Sequence, residues 1–176
     1  MLALPLVLGG CTSDDGKKPT VLPSLAPPAV SPSAVPVPSV PPEASAETAQ
    51  GAAAFARHYM DVLSQSLQAA DPEPVVALSD AGCGGCQNLI GAIREERKQN
   101  QRINGAAFRV IFAEAPPVQA GEVVLDLRYE RLSGQLVEAG TGRVIEDIRP
   151  EPAIDAQMRL RKSPTGWAVL GLRSVK

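Results

Sequence analysis

Aromatic residues are scarce in this chain: three Phe, two Tyr and one Trp in 176 residues. That is too thin a supply for a stacking platform for bases or sugars. One His and three Cys leave little for metal chemistry, since a structural zinc site takes about four ligands. No cofactor is expected either. Apolar runs are short, and none approaches the roughly 20 residues that a membrane-crossing helix requires. Positive charge is not in excess. With a formal net charge of −2, the chain lacks the electrostatic footprint of a nucleic-acid binder, and no nucleic acid is expected as a partner.

What is present at the start has a clear order. A short apolar run, Leu2 to Leu8, leads through Gly9 and Gly10 to Cys11, and a polar, Pro-rich stretch follows. Leu8-Gly9-Gly10-Cys11 resembles the lipobox of bacterial lipoproteins, with small residues where a signal peptidase must reach the backbone. The resemblance implies that residues 1–10 are a signal peptide and that Cys11 takes a diacylglycerol thioether and becomes the new N-terminus. It further implies an exported protein on the outer face of the cytoplasmic membrane, with the membrane as a partner through that anchor. No Lys or Arg precedes the apolar run, so a basic n-region is expected upstream of Met1.

Residues 11–45 read as a tether. Nine Pro fall between Pro19 and Pro42, interleaved with Ser, Ala and Val. Such a composition buries no core and favours an extended chain. At about 3.1 Å per residue its reach is roughly 100 Å. Its expected role is to hold a domain clear of the membrane, and residues 46–176 are long enough for one.

If lipid consumes Cys11, Cys83-Gly84-Gly85-Cys86 holds the two Cys that remain. Outside the cytoplasm such a pair persists as a disulfide, and a structural bridge pinning a local corner is the leading expectation. Closing so short a loop removes little unfolded-state entropy. The competing reading is a thiol redox pair with the first thiol acidified at a helix start. That motif ordinarily follows a β-strand, whereas this one follows a helical stretch. A metal site is not expected, because only the distant His58 would join the two Cys.

The order of elements is helices first, strands after. Between Ala46 and Ala70 there is no Pro, and Phe55, Tyr59, Val62, Leu63 and Leu67 recur at helical spacing. Ser45 is the expected N-cap. Asp71 is expected to cap a short second helix with Pro72 at its first position. Gly82 to Gly85 should end it, and a third helix is expected from about Cys86 to Arg102, with Leu89, Ile90 and Ile93 inward. Period-two patterning then marks strands at Phe108–Phe112, Glu122–Glu130 and Ile154–Arg161, with Ile111 and Val124 the apolar residues among the intervening positions. Gly140-Thr141-Gly142 reads as a hairpin turn between Leu136–Val137 and Val144–Ile148. A last strand is expected over Trp167–Val175. Helices followed by an antiparallel sheet make an α+β architecture.

Ala49-x-Gly51, Phe55-x-x-x-Tyr59, Asp71-x-x-Pro74, Leu78-Ser79 and Cys83-x-x-Cys86, on a Pro-tethered exported chain, resemble a family of actinobacterial lipoproteins, DUF6318. More broadly, the pattern resembles the NTF2-like (cystatin-like) superfold. That resemblance implies a curved antiparallel sheet wrapped around the long first helix as a cone, with a pocket lined here by Phe55, Tyr59, Tyr129 and Trp167. The family brings no established activity. Enzymes of the superfold place an Asp, His or Tyr in the cone, which singles out His58, Tyr59, Asp126, Asp147 and Asp155. His58 lies off the apolar stripe and is expected at the surface, while Asp126 and Asp155 fall on the polar faces of their strands. The cluster Arg94-Glu95-Glu96-Arg97-Lys98, with Arg102, reads as a solvated face whose cations complement a helix C-terminus. The expectation is therefore a non-catalytic module, with no catalytic residues assigned, binding a small ligand or an envelope protein. The alternatives are an enzyme using Tyr59 with a strand Asp, and a thiol redox protein using Cys83 and Cys86.

Overall fold

The computed structural model describes residues 39–175. The expectations for the signal peptide, for Cys11 and for most of the tether lie outside those residues. The packed chain begins earlier than expected. Pro42–Ser45 form a 3₁₀ turn whose Ala44 is fully buried in the core, so the last residues assigned to the tether belong to the fold.

Helix α1 spans Ala49–Ala69, not Ala46–Ala70. Ser45 is committed to the preceding turn, and Ala46 is extended. Thr48 caps instead: its backbone is extended and its Oγ1 accepts the Gly51 N–H at 3.0 Å. Ala70 ends the helix in the left-handed region, at φ 50°. Helix α2 covers Glu73–Leu78, one residue later than expected. Asp71 still contributes, its Oδ1 accepting the Glu73 N–H at 3.4 Å. Helix α3 covers Gly84–Lys98. The glycines expected to precede it open it, and its end comes four residues early, because Asn100 takes a left-handed φ of 56°.

Seven antiparallel strands follow: β1 Gln101–Asn104, β2 Phe108–Glu114, β3 Glu122–Arg131, β4 Gly134–Glu138, β5 Val144–Ile148, β6 Ile154–Ser163 and β7 Gly166–Ser174. They form two sheets where one was expected. The larger has the order β2-β3-β6-β7 and the smaller β1-β4-β5. The β4–β5 hairpin turns at Gly140-Thr141-Gly142 as read from the sequence.

The period-two pattern sets the face of the large sheet. Val123, Leu125 and Leu127 pair in register with Leu160, Met158 and Ala156, and all six are buried. Against them lie Phe55, Tyr59, Val62 and Leu63 of α1 and Ile90 and Ile93 of α3, in one apolar cluster. Fully burying a side chain of this size contributes about 1.5–3 kcal/mol, so the cluster dominates the stability. Trp167 joins the cluster, and its Nε1–H donates to the Ala46 carbonyl at 3.1 Å, tying the chain ahead of α1 to β7. Helix α1 is enclosed on more than one side, which explains why His58 is only 4 % exposed. The expected surface position for His58 is wrong: a central helix buries residues beyond its main apolar stripe.

Candidate functional site

Cys83 and Cys86 are joined as a disulfide, with Cα atoms 5.2 Å apart. Both residues are completely buried, and Cys83 Sγ also caps α3 by accepting the Cys86 N–H at 3.2 Å. Thiol exchange needs an attacking thiolate to reach a sulfur, and no path to these two is open from solvent. The bridge therefore fastens the start of α3. Gly85, inside it, packs so closely on the Leu172 carbonyl of β7 that a β-carbon would not fit.

The residues singled out for a cone are part of the packing. Phe55 and Tyr59 are 1 % and 0 % exposed, and Trp167 is buried with them. Tyr129 is half-buried and meets the Phe108 ring edge-on at 5.7 Å. The Tyr59 hydroxyl has its partner in the Ser79 hydroxyl at 3.2 Å, and burial pushes the phenol above its usual range while that bond pulls it back. None of these four side chains lines the three cavities described below.

Nor do the acid–base candidates meet. Asp126 accepts from Gln157 Nε2 at 3.3 Å, Asp147 from Gln135 Nε2 at 3.1 Å, and Asp155 pairs with Arg128 at 3.5 Å. All three carboxylates are at the surface, away from Tyr59 in the core. His58 is held below the usual imidazole range by burial, opposed by the charge of Asp61. Among the described residues no group of three His, Cys, Asp or Glu could hold a metal ion.

A site that the sequence did not announce lies beneath the small sheet. Two cavities meet there, of about 570 and about 40 Å³, and both are lined by Glu96, Ile103, Arg131 and Ile148. The smaller reaches inward among Leu67, Ala107, Phe108 and Leu132. The larger opens outward past Glu146, Asp147, Arg149 and Glu151. The groove thus has an apolar inner end and a charged mouth. Arg131 is anchored by Glu151 at 3.2 Å. Glu96 has no such partner: its Oε2 is buried without a hydrogen bond, and burial raises its carboxyl above the usual range, with Arg131 pulling the other way. A buried acceptor left unmade costs about 1–3 kcal/mol.

The sequence held one signal for this residue. Glu96 follows Ile90 and Ile93 on the inner face of α3, at the spacing of the apolar stripe, whereas Arg94, Glu95, Arg97 and Lys98 are exposed as expected. A third cavity, of about 350 Å³, lies by Pro116, Pro117 and Glu122, but both oxygens of Glu122 are taken by Arg159 and Arg161 at 2.7 and 2.9 Å.

Comparison with solved structures supports the fold. The intermembrane-space region of the chloroplast protein ARC6 is similar at a TM-score of 0.55 and 10 % identity, covering 72 % of this chain and 95 % of that one. Aln2 from a Streptomyces species reaches 0.46 at 10 % identity, over 69 % of this chain and 89 % of its own. The protein titled Rd1NTF2_05_I64F_A80G_T94P_D101K_L106W reaches 0.35 at 14 % identity, over 69 % and 96 %. The last two scores are too low to argue from, and the first speaks for the fold alone. Among curated proteins none matches the chain by sequence. The profile described as "Family of unknown function (DUF6318)" matches residues 29–169, and with that span the chain belongs to this family.

Proposed function

We propose that this chain is an exported, lipid-anchored domain that works by binding rather than by catalysis, and that the groove beneath the small sheet is where it binds. The observation that carries the reading is the unpartnered inner oxygen of Glu96, set between an apolar recess and a charged mouth. Ligand sites combine an apolar lining with a few placed polar groups in this way. The lipobox resemblance at Cys11 and the Pro-rich tether supply the address, the outer face of the cytoplasmic membrane. The candidate catalytic groups are dispersed, which leaves the groove as the better-supported working part.

The experiment is a fragment screen on the full chain by thermal shift, repeated with Ala106→Trp, a bulky residue placed in the recess lining to obstruct it. Hits that lose their shift in the filled variant support the groove. Hits that persist unchanged in a variant with the parent's secondary structure place binding elsewhere and sink this reading.

A further inference from the structure

We propose that the outer edge of β5 and the groove beside it form a docking site for an extended, basic polypeptide segment, which adds to the small sheet as a further strand and sets a Lys or Arg against Glu96. The proposal rests on the binding reading above and names its partner.

Strand β5 is the last in the order β1-β4-β5, and no described strand pairs with its outer side. Four of its five residues are exposed, with Val144 at 45 % and Ile145 at 42 %. An edge of this kind presents a row of backbone donors and acceptors to any extended chain laid beside it. Where Glu146, Asp147 and Ile148 line the groove, the same strand forms its wall.

Charge selects the occupant. Four carboxylates line the mouth, from Glu96, Glu146, Asp147 and Glu151, against two guanidinium groups, from Arg131 and Arg149, for a local balance of −2. A second copy of this chain, paired antiparallel along β5 and centred on this segment, would set Glu146 of one copy against Asp147 of the other, and like charges directly opposite destabilise a pair of strands. An apolar segment would leave the Glu96 carboxyl group, part of the groove lining, with no incoming cation to face. A basic segment meets both demands. Alternate side chains of an added strand point to one face, so every second residue reaches the groove. The stem of a Lys or Arg there lies along Ile103, Leu136 and Ile148 while its charged end meets Glu96.

The test uses the full chain and three short labelled peptides, read by fluorescence anisotropy: alternating Lys and Thr, alternating Glu and Thr, and the Lys peptide methylated at alternate backbone nitrogens. The expected result is saturable binding of the Lys peptide only, with amide-exchange protection gained at Val144–Ile148. Glu96→Gln and the double variant Glu146→Gln with Asp147→Asn should each weaken that binding by about tenfold, as should the methylation. The double variant changes only exposed positions, so it decides the matter if Glu96→Gln disturbs folding. Equal binding of Lys and Glu peptides, or carboxylate variants without effect, overturns the proposal. So does full-strength binding of the methylated peptide, which would exclude strand addition. Self-association that the double variant alters would make a second copy the occupant and overturn it too. If the Lys peptide fails while fragments still depend on an unfilled recess, the groove reading stands and only the basic partner is lost.

Discussion

His58 sits at 4 % exposure and is held below the usual imidazole range by burial, with Asp61 opposing. The native state therefore resists protonation, whereas the unfolded chain takes up a proton near the ordinary value of 6.5. Stability from this residue is fully present above that value and falls as pH drops through it, levelling off only below the depressed native value. Melting curves collected downward from neutral pH should show that decline, and His58→Gln should flatten it; an unchanged slope would put the sensitivity in the carboxylates. Sequence reasoning missed this residue for a physical reason. It placed Tyr59 on the one apolar stripe of α1 and His58 off it, and a helix surrounded by other elements also buries residues beside the stripe. The disulfide carries a second expectation at this scale. Because both sulfurs are buried, dithiothreitol should leave the native protein intact and reduce it readily only in denaturant. Cys83→Ser with Cys86→Ser should cost about 2 kcal/mol in chemical denaturation, toward the low end for disulfides. Rapid reduction of the native protein, followed by labelling of both thiols, would revive the exchange reading.

The first turn of α3 gives a paired test at the scale of elements. Gly84 and Gly85 are adjacent in one helix, yet only Gly85 lies against the Leu172 carbonyl, and a β-carbon on Gly84 meets nothing within 4 Å. Gly85→Ala should therefore lower stability by about 1–3 kcal/mol, as overpacking does, while Gly84→Ala should raise it by about 0.5 kcal/mol through the unfolded chain. Equal effects in denaturant titrations would mean that α3 does not press on β7 as described. This junction was illegible in the sequence, where two glycines after Cys83 read as a break. The strands β3 and β6 were legible because Val123, Leu125 and Leu127 and their partners recur at every second position over a long run, with Val124 the one apolar residue among those between them. Strand β1 was not: Gln-Arg-Ile-Asn carries a single apolar residue, and its pairing with β4 spans more than thirty positions of sequence. The one local cue was Asn100, a residue type that tolerates the left-handed conformation that ends α3. With Gln101 and Arg102 read as the end of α3 and no strand expected at Ile103 and Asn104, the division into two sheets could not be foreseen, and the groove between them could not either. Its lining comes from α1, α3, β1, β2, β3, β4 and β5, a convergence that no local pattern records.

At the scale of the whole molecule, address and chemistry are read from different parts of the chain. The address rests on residues ahead of the packed domain and the chemistry on a groove assembled by its topology, so each can fail alone. Each buried methylene contributes about 0.8 kcal/mol, and a single acyl chain holds a protein only marginally, so stable retention takes two. The proposed diacylglycerol on Cys11 would supply two. In the expressing cell, the full chain should partition with the membrane fraction, resist an alkaline wash, and carry the mass of the lipid on a chain that begins at Cys11. Cys11→Ala should abolish the lipid mass and leave the leader uncleaved. Globomycin, which blocks the lipoprotein signal peptidase, should cause a larger, lipid-bearing precursor to accumulate. If Cys11→Ala changes neither mass nor partition, the lipid anchor is lost from the account. The groove would then have to be placed in its compartment by other means, while its affinity for a basic strand, measured on the isolated chain, would stand or fall unchanged.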